Sequence, residues 1–242
     1  MKTLLCTLAA AALSSAIHAQ NIDQPAVKGG DTWRYRVTHE TGPNGWNQTH
    51  EDLTVDRVSS SAIYFDVKQQ GSTQAPNHVY MGLDWSRVRN VNGTETLVNR
   101  PLAFPLAVGK AWEVNFDEQN PNRRFKSEKR SRKYKVLGYE TVEVPAGTFK
   151  AIKVESEGQW VAELAPTQNV VQGGQTGPNG ASMVTQVQTT PAGTKVMGRS
   201  YAVLWYAPEV KRWVKSVEDD YDSGGARNSR STVELESFKV SD

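Results

Sequence analysis

The chain has 242 residues, with 28 Lys and Arg against 26 Asp and Glu, and a formal charge of +2 implies no strongly polyanionic partner. Apolar residues make up 38% and mean hydropathy is -0.56, enough for a buried core and well short of a membrane-spanning protein. A single Cys excludes an intrachain disulfide framework and any multi-cysteine zinc site. Met1 to Ala19 reads as a secretory signal peptide: Lys2 supplies a positive start, and Leu4 to Leu13 is an apolar run too short to span a bilayer. Ile17-His18-Ala19 suits cleavage after Ala19. Cys6 sits early in the apolar run, which argues against a lipid anchor and leaves residues 20–242 without cysteine. Export without disulfides fits a bacterial periplasm, or secretion from a bacterium.

Beyond the leader, period two dominates. Trp33, Tyr35 and Val37 alternate with Arg34, Arg36 and Thr38, a strand with one apolar face. Leu53 and Val55 repeat the pattern, as do Trp112, Val114 and Phe116. Further strands are expected over Ser61 to Val67, Phe149 to Glu155, Tyr201 to Tyr206, Trp213 to Asp220 and Val233 to Val240. Two of these change phase midway: Phe149 and Ala151 give way to Ile152 and Val154, and Val233 and Leu235 to Phe238 and Val240. A bulge or bend is expected at each, as in a curved sheet.

Gly42-Pro43-Asn44-Gly45, Asn92-Gly93, Pro145-Ala146-Gly147 and Ser223-Gly224-Gly225 read as turns between strands. No stretch keeps an apolar 3,4 spacing between helix start and stop signals. The expectation is a mainly β protein: one curved antiparallel sheet or half-barrel over residues 20–242, with little helix beyond the signal peptide. Residues 163–198, rich in Gln, Gly and Thr, read as an insertion between two core strands, a long hairpin or a partly disordered segment. Only Met183 to Val187 within it has strand character.

Several phrases resemble a group of bacterial periplasmic domains known as DUF3108-like or TapB-like. Gly30-Asp31-Thr32-Trp33-Arg34-Tyr35 is similar to their opening strand, and Phe104 to Trp112 to their "PL…GKxW" turn. Tyr139 to Phe149 resembles their "VPAGTF" hairpin, and Trp205-Tyr206-Ala207-Pro208 with Trp213-Val214-Lys215 their "WYAP…VK" segment. The resemblance implies a curved antiparallel sheet of the lipoprotein-carrier kind and brings no catalytic residues. The sequence departs from it at Lys211-Arg212, where the family has a Gly turn, and in the 163–198 insertion.

No catalytic motif emerges. His39, His50 and His78 lie far apart without metal-ligand spacing, and neighbours in His50-Glu51-Asp52 point to opposite faces of a strand. Glu218, Asp219, Asp220 and Asp222 lack the pattern of a calcium loop, and no nucleophile elbow or phosphate loop is present. The chain therefore reads as non-enzymatic, with no cofactor and no bound metal.

Two features suggest what it contacts. Arg123 to Lys135 contains eight basic residues and one acidic one. Arg123, Arg124, Lys126, Arg130, Arg132 and Lys133 would suit an anionic membrane surface or an envelope protein, while a periplasmic address argues against nucleic acid. The same run would also serve as an edge strand protected by its charges, facing Glu218 to Asp222 across the sheet. The second feature is a surplus of aromatics on or beside strands. Trp33, Tyr35, Trp112, Trp205 and Tyr206 would line a concave face able to hold a lipid or other apolar small molecule, or would simply fill a core short of helices.

Overall fold

Alternation of apolar and polar residues becomes strand along most of the chain. In the computed structural model, which describes residues 21–42, 45–166, 168–177, 180–189, 191 and 193–242, the strands run in this order. They are β1 (Thr32–Thr41), β2 (Gly45–Val58), β3 (Ala62–Gln69), β4 (Asn77–Gly82), β5 (Arg87–Val91), β6 (Thr94–Asn99) and β7 (Ala111–Gln119). There follow β8 (Phe125–Val144), β9 (Gly147–Leu164), β10 (Gln168–Gly177), β11 (Gly180–Thr189), β12 (Lys195–Ala207), β13 (Arg212–Tyr221) and β14 (Arg227–Lys239). One 3-10 turn, Pro208–Val210, separates β12 from β13. The proposed signal peptide and its cleavage site lie outside the described residues.

Ten strands form one antiparallel sheet in the order β4-β3-β2-β1-β14-β13-β12-β9-β8-β7. The sheet is curved and not closed into a barrel, with β4 and β7 at its edges. From β1 the chain steps outward to β4, crosses to the opposite edge at β7, and returns strand by strand until β14 pairs with β1. The crossover, residues 83–110, holds the β5–β6 hairpin and an irregular stretch. Its Trp85, Leu102 and Leu106 are almost wholly buried, so a segment without helix covers much of the sheet's inner face. Within the region read as an insertion, β10 and β11 form a separate two-stranded hairpin. Its flanks belong to the main sheet, because β9 reaches Leu164 and β12 starts at Lys195.

Turn chemistry fits the expected breaks. Val91 pairs with Thr94 across Asn92 (φ 53) and Gly93 (φ 86), a two-residue loop whose positive dihedrals match the twist of its strands. Lys211, standing where the resemblance expects Gly, itself adopts the left-handed conformation (φ 60) and closes the turn after Val210.

Both phase changes coincide with bulges. On β14, Arg34 pairs with Ser237 and Tyr35 with Leu235, so Glu236 is the extra residue. On β8, Val136 pairs with Val154 and Gly138 with Lys153, leaving Leu137 extra opposite Lys153 and Val154, just beyond Ala151 and Ile152, which are both fully buried. The basic segment is not an edge strand. Its residues in β8 pair with β7 on one side and β9 on the other, because their charges find carboxylates on neighbouring strands and leave the backbone free to join both ladders.

Candidate functional site

Along β1 the inward phase places Trp33, Tyr35 and Val37 beside Leu53 and Glu51 of β2, which pair with Trp33 and Tyr35. Phe65 and Val67 of β3, Val79 and Met81 of β4, and Val233 of β14 extend the same face. Together they line an open cleft of about 410 Å³ with mainly apolar walls, within the range of roughly 300–1,000 Å³ common for small-molecule sites.

Arg212, the first residue of β13, borders this cleft and is only 6% exposed. Its Cζ lies 4.3 Å from the Trp213 ring centre, 4.6 Å from Trp85 and 5.4 Å from Tyr35, with Trp33 and Phe65 just beyond. Nε and Nη1 are buried with no hydrogen-bond partner, and among the described residues the side chain forms no ion pair. Burial pushes the guanidinium pKa down from its ordinary 12.5, opposed by the field of Tyr35 and Glu51. An arginine stays charged at neutral pH nonetheless. Removing such a cation from water costs several kcal/mol. Ring faces return about 2 kcal/mol where they are desolvated. They do not satisfy the five N–H donors of the fork.

The aromatic cage is built with care for its own polar atoms. Trp33 Nε1 donates to the Val210 carbonyl at 2.8 Å, Trp85 Nε1 to the Lys211 carbonyl at 3.0 Å, and the Tyr35 hydroxyl to the Trp213 carbonyl at 2.7 Å. Trp85 reaches inward from a tight turn in which Gly82 N–H donates to the Ser86 carbonyl. Its φ of 60 is an unfavourable conformation for a bulky side chain, held by contacts with Trp33, Phe65 and Trp213 at 5.5–6.1 Å. Burial raises the Tyr35 hydroxyl pKa well above 10, so this ring stays neutral.

A second hollow, of about 440 Å³, lies over β7, β8, β9 and β12 beneath the β5–β6 hairpin. Its charged lining is largely paired internally. Arg89 meets Glu118, Arg130 meets Glu128 at 2.6 Å, and Arg132 meets Glu218 at 2.6 Å. Arg132 reaches β13 over Gly158, where a Cβ would lie 3.3 Å from its Nε and 2.3 Å from Ser200 Oγ. Arg87 borders both hollows and joins them along the inner face.

Of the aromatics singled out in the sequence, Tyr35 lines the apolar cleft and Trp33 lies in the cage beneath it. Tyr206 is fully buried elsewhere in the core against Phe104, with ring centres 5.4 Å apart. Trp112 stacks on Tyr134 at 5.2 Å, and Trp205 donates from Nε1 to Glu140, with Lys153 over its ring. Among the basic residues, Lys126 pairs with Glu163, Arg130 and Arg132 turn to the inner hollow, and Arg123, Arg124 and Lys133 are exposed. Of the acidic run, Glu218 meets the basic strand as expected, while Asp219 pairs with Arg230 at 2.8 Å.

Arg212 itself stood out in the sequence only as a departure from a Gly turn. Its one further signal is that it shares the buried phase with Val214, two residues on. Among the described residues, no three His, Cys, Asp or Glu side chains converge as a metal site would require. His50 turns away from the cleft to Glu236, 2.8 Å distant, while its neighbour Glu51 lines the cleft.

No family model matches the chain, so the likeness to DUF3108-like domains rests on the quoted motifs alone, and no curated protein matches it. Among solved structures it is similar to an inferred lipoprotein from Parabacteroides distasonis, with a TM-score of 0.46 and 14% identity over 91% of this chain and 100% of that one. It is also similar to an inferred exported protein of YmcC-like fold from Bacteroides fragilis, with a TM-score of 0.40 and 16% identity over the same shares.

Proposed function

We propose that the protein is a non-enzymatic, exported binding protein that holds a lipid-like or other apolar molecule against the inner face of its sheet. The observation that carries this reading is the open cleft of about 410 Å³, walled by Val37, Leu53, Phe65, Val67, Val79, Met81 and Val233. The crossover segment buries much of the inner face, yet leaves this apolar portion uncovered, as a binding protein requires. A leader sequence at Met1 to Ala19 supports export, to the periplasm or beyond. The carboxylates of the second hollow support a non-enzymatic role, since Glu118, Glu128 and Glu218 are each held in an ion pair with an arginine.

Protein purified without detergent from the envelope of its native host should carry an amphiphile visible by native mass spectrometry and recoverable by solvent extraction. Repeated recovery of the bare chain would overturn the reading.

A second reading, contact with an anionic surface or envelope partner, draws on Arg123, Arg124 and Lys133, which are exposed and form no ion pair among the described residues. Reversing all three to Glu should abolish salt-sensitive binding to anionic vesicles. Unchanged binding would remove this reading.

A further inference from the structure

Resting on the binding role proposed above, we infer that the ligand is an acyl chain ending in a single carboxylate, a free fatty acid, whose head group docks on Arg212. The apolar cleft provides for the chain, and the buried guanidinium at its border provides for the head. Arg212 carries one positive charge with Nε and Nη1 unpartnered, in a cage where the polar atoms of Trp33, Trp85 and Tyr35 are turned to backbone carbonyls. A carboxylate is the acceptor that matches a guanidinium in charge and planar geometry. Glu51 on the same cleft wall offsets part of the Arg212 charge, and against mainly apolar walls a dianionic head group costs far more to strip of water than a monoanion, which favours a carboxylate over a phosphate monoester. Of the arginines lining the second hollow, Arg89, Arg130 and Arg132 lack this property, because they already hold carboxylates.

The test titrates the full exported chain, stripped of lipid, with palmitic acid, methyl palmitate and palmityl phosphate. Tryptophan fluorescence reads the binding, since Trp85 and Trp213 lie against the guanidinium. The acid should bind at least about tenfold more tightly than either comparator, the ester lacking the charge and the phosphate bringing too much. Arg212→Met, close in volume to the aliphatic stem, should erase the preference for the acid over the ester. Glu51→Gln should tighten the acid and narrow the gap to the phosphate.

Equal binding of acid and ester by the unaltered chain would overturn the head-group assignment and leave the apolar binding role intact. A preference for the phosphate, or an acid preference that survives in Arg212→Met, would do the same. Failure of every probe to bind would instead overturn the binding role itself.

Discussion

Arg212 and Asp31 are both charged and both buried, and they differ in whether the fold satisfies them. Asp31, 1% exposed, accepts from Lys28 N–H at 3.0 Å, Ser241 N–H at 2.8 Å, Ser241 Oγ at 2.9 Å and Lys211 Nζ at 3.3 Å. Burial works to raise its pKa, but the Ser241, Lys28 and Lys211 donors together hold it below the ordinary 3.8. A lowered folded-state pKa contributes stability that is complete above the unfolded value and is lost as pH falls through the folded one. Asp31→Ala should therefore cost about 3 kcal/mol in urea at neutral pH, since it strands the Lys28 and Ser241 N–H donors and removes the carboxylate beside Lys211. The gap between the two proteins should close as the pH is taken well below 3.8. Arg212 has no such partners, so Arg212→Met should leave the urea midpoint unchanged or raise it, as expected when an unpaired buried charge is replaced by an apolar chain of similar length. A large fall would show that the cage already satisfies the cation.

At the scale of strands, the basic half of β8 shows how charge is accommodated inside a sheet. Its inward arginines pair with Glu128 and with Glu218 of β13, while its outward lysines meet Asp117 of β7 and Glu163 of β9. The Arg132 bridge depends on the empty space above Gly158. Gly158→Val should displace both Arg132 and Ser200 and cost about 1–3 kcal/mol in a thermal or urea melt. Much of this architecture was legible beforehand. Clean alternation marks β1, β2, β7 and β13, and the breaks of phase at Ala151/Ile152 and Leu235/Phe238 coincide with bulges. β4, β5 and β6 were not foreseen because Asn77–Gly82, Arg87–Val91 and Thr94–Asn99 are short and mix polar with apolar residues on both phases. The edge-strand expectation for β8 failed because composition reports charge and not which strands stand on either side to neutralise it.

On the scale of the whole molecule, the sheet makes one long inner face, half closed by the crossover and divided in character. One half is apolar around an arginine with no ion pair among the described residues, and the other is polar with its charges largely paired. That division is invisible in the sequence, because it arises where β1 to β4, β13 and β14 curve together around Trp85 from the crossover. The surplus of tryptophan and tyrosine noted at the outset thus separates into a cage, Trp33, Tyr35, Trp85 and Trp213, and rings that serve elsewhere, such as Tyr206 in the core. The near-zero net charge is likewise a balance of opposed runs that pair in part, Arg132 with Glu218. The most direct check is a crystal structure of the lipid-stripped chain grown with palmitic acid. Continuous acyl density along Val37, Leu53 and Val233, ending in a carboxylate about 3 Å from the Arg212 guanidinium, is the predicted result. A cleft free of acyl density at saturating acid, or one closed by its own side chains, would contradict the account.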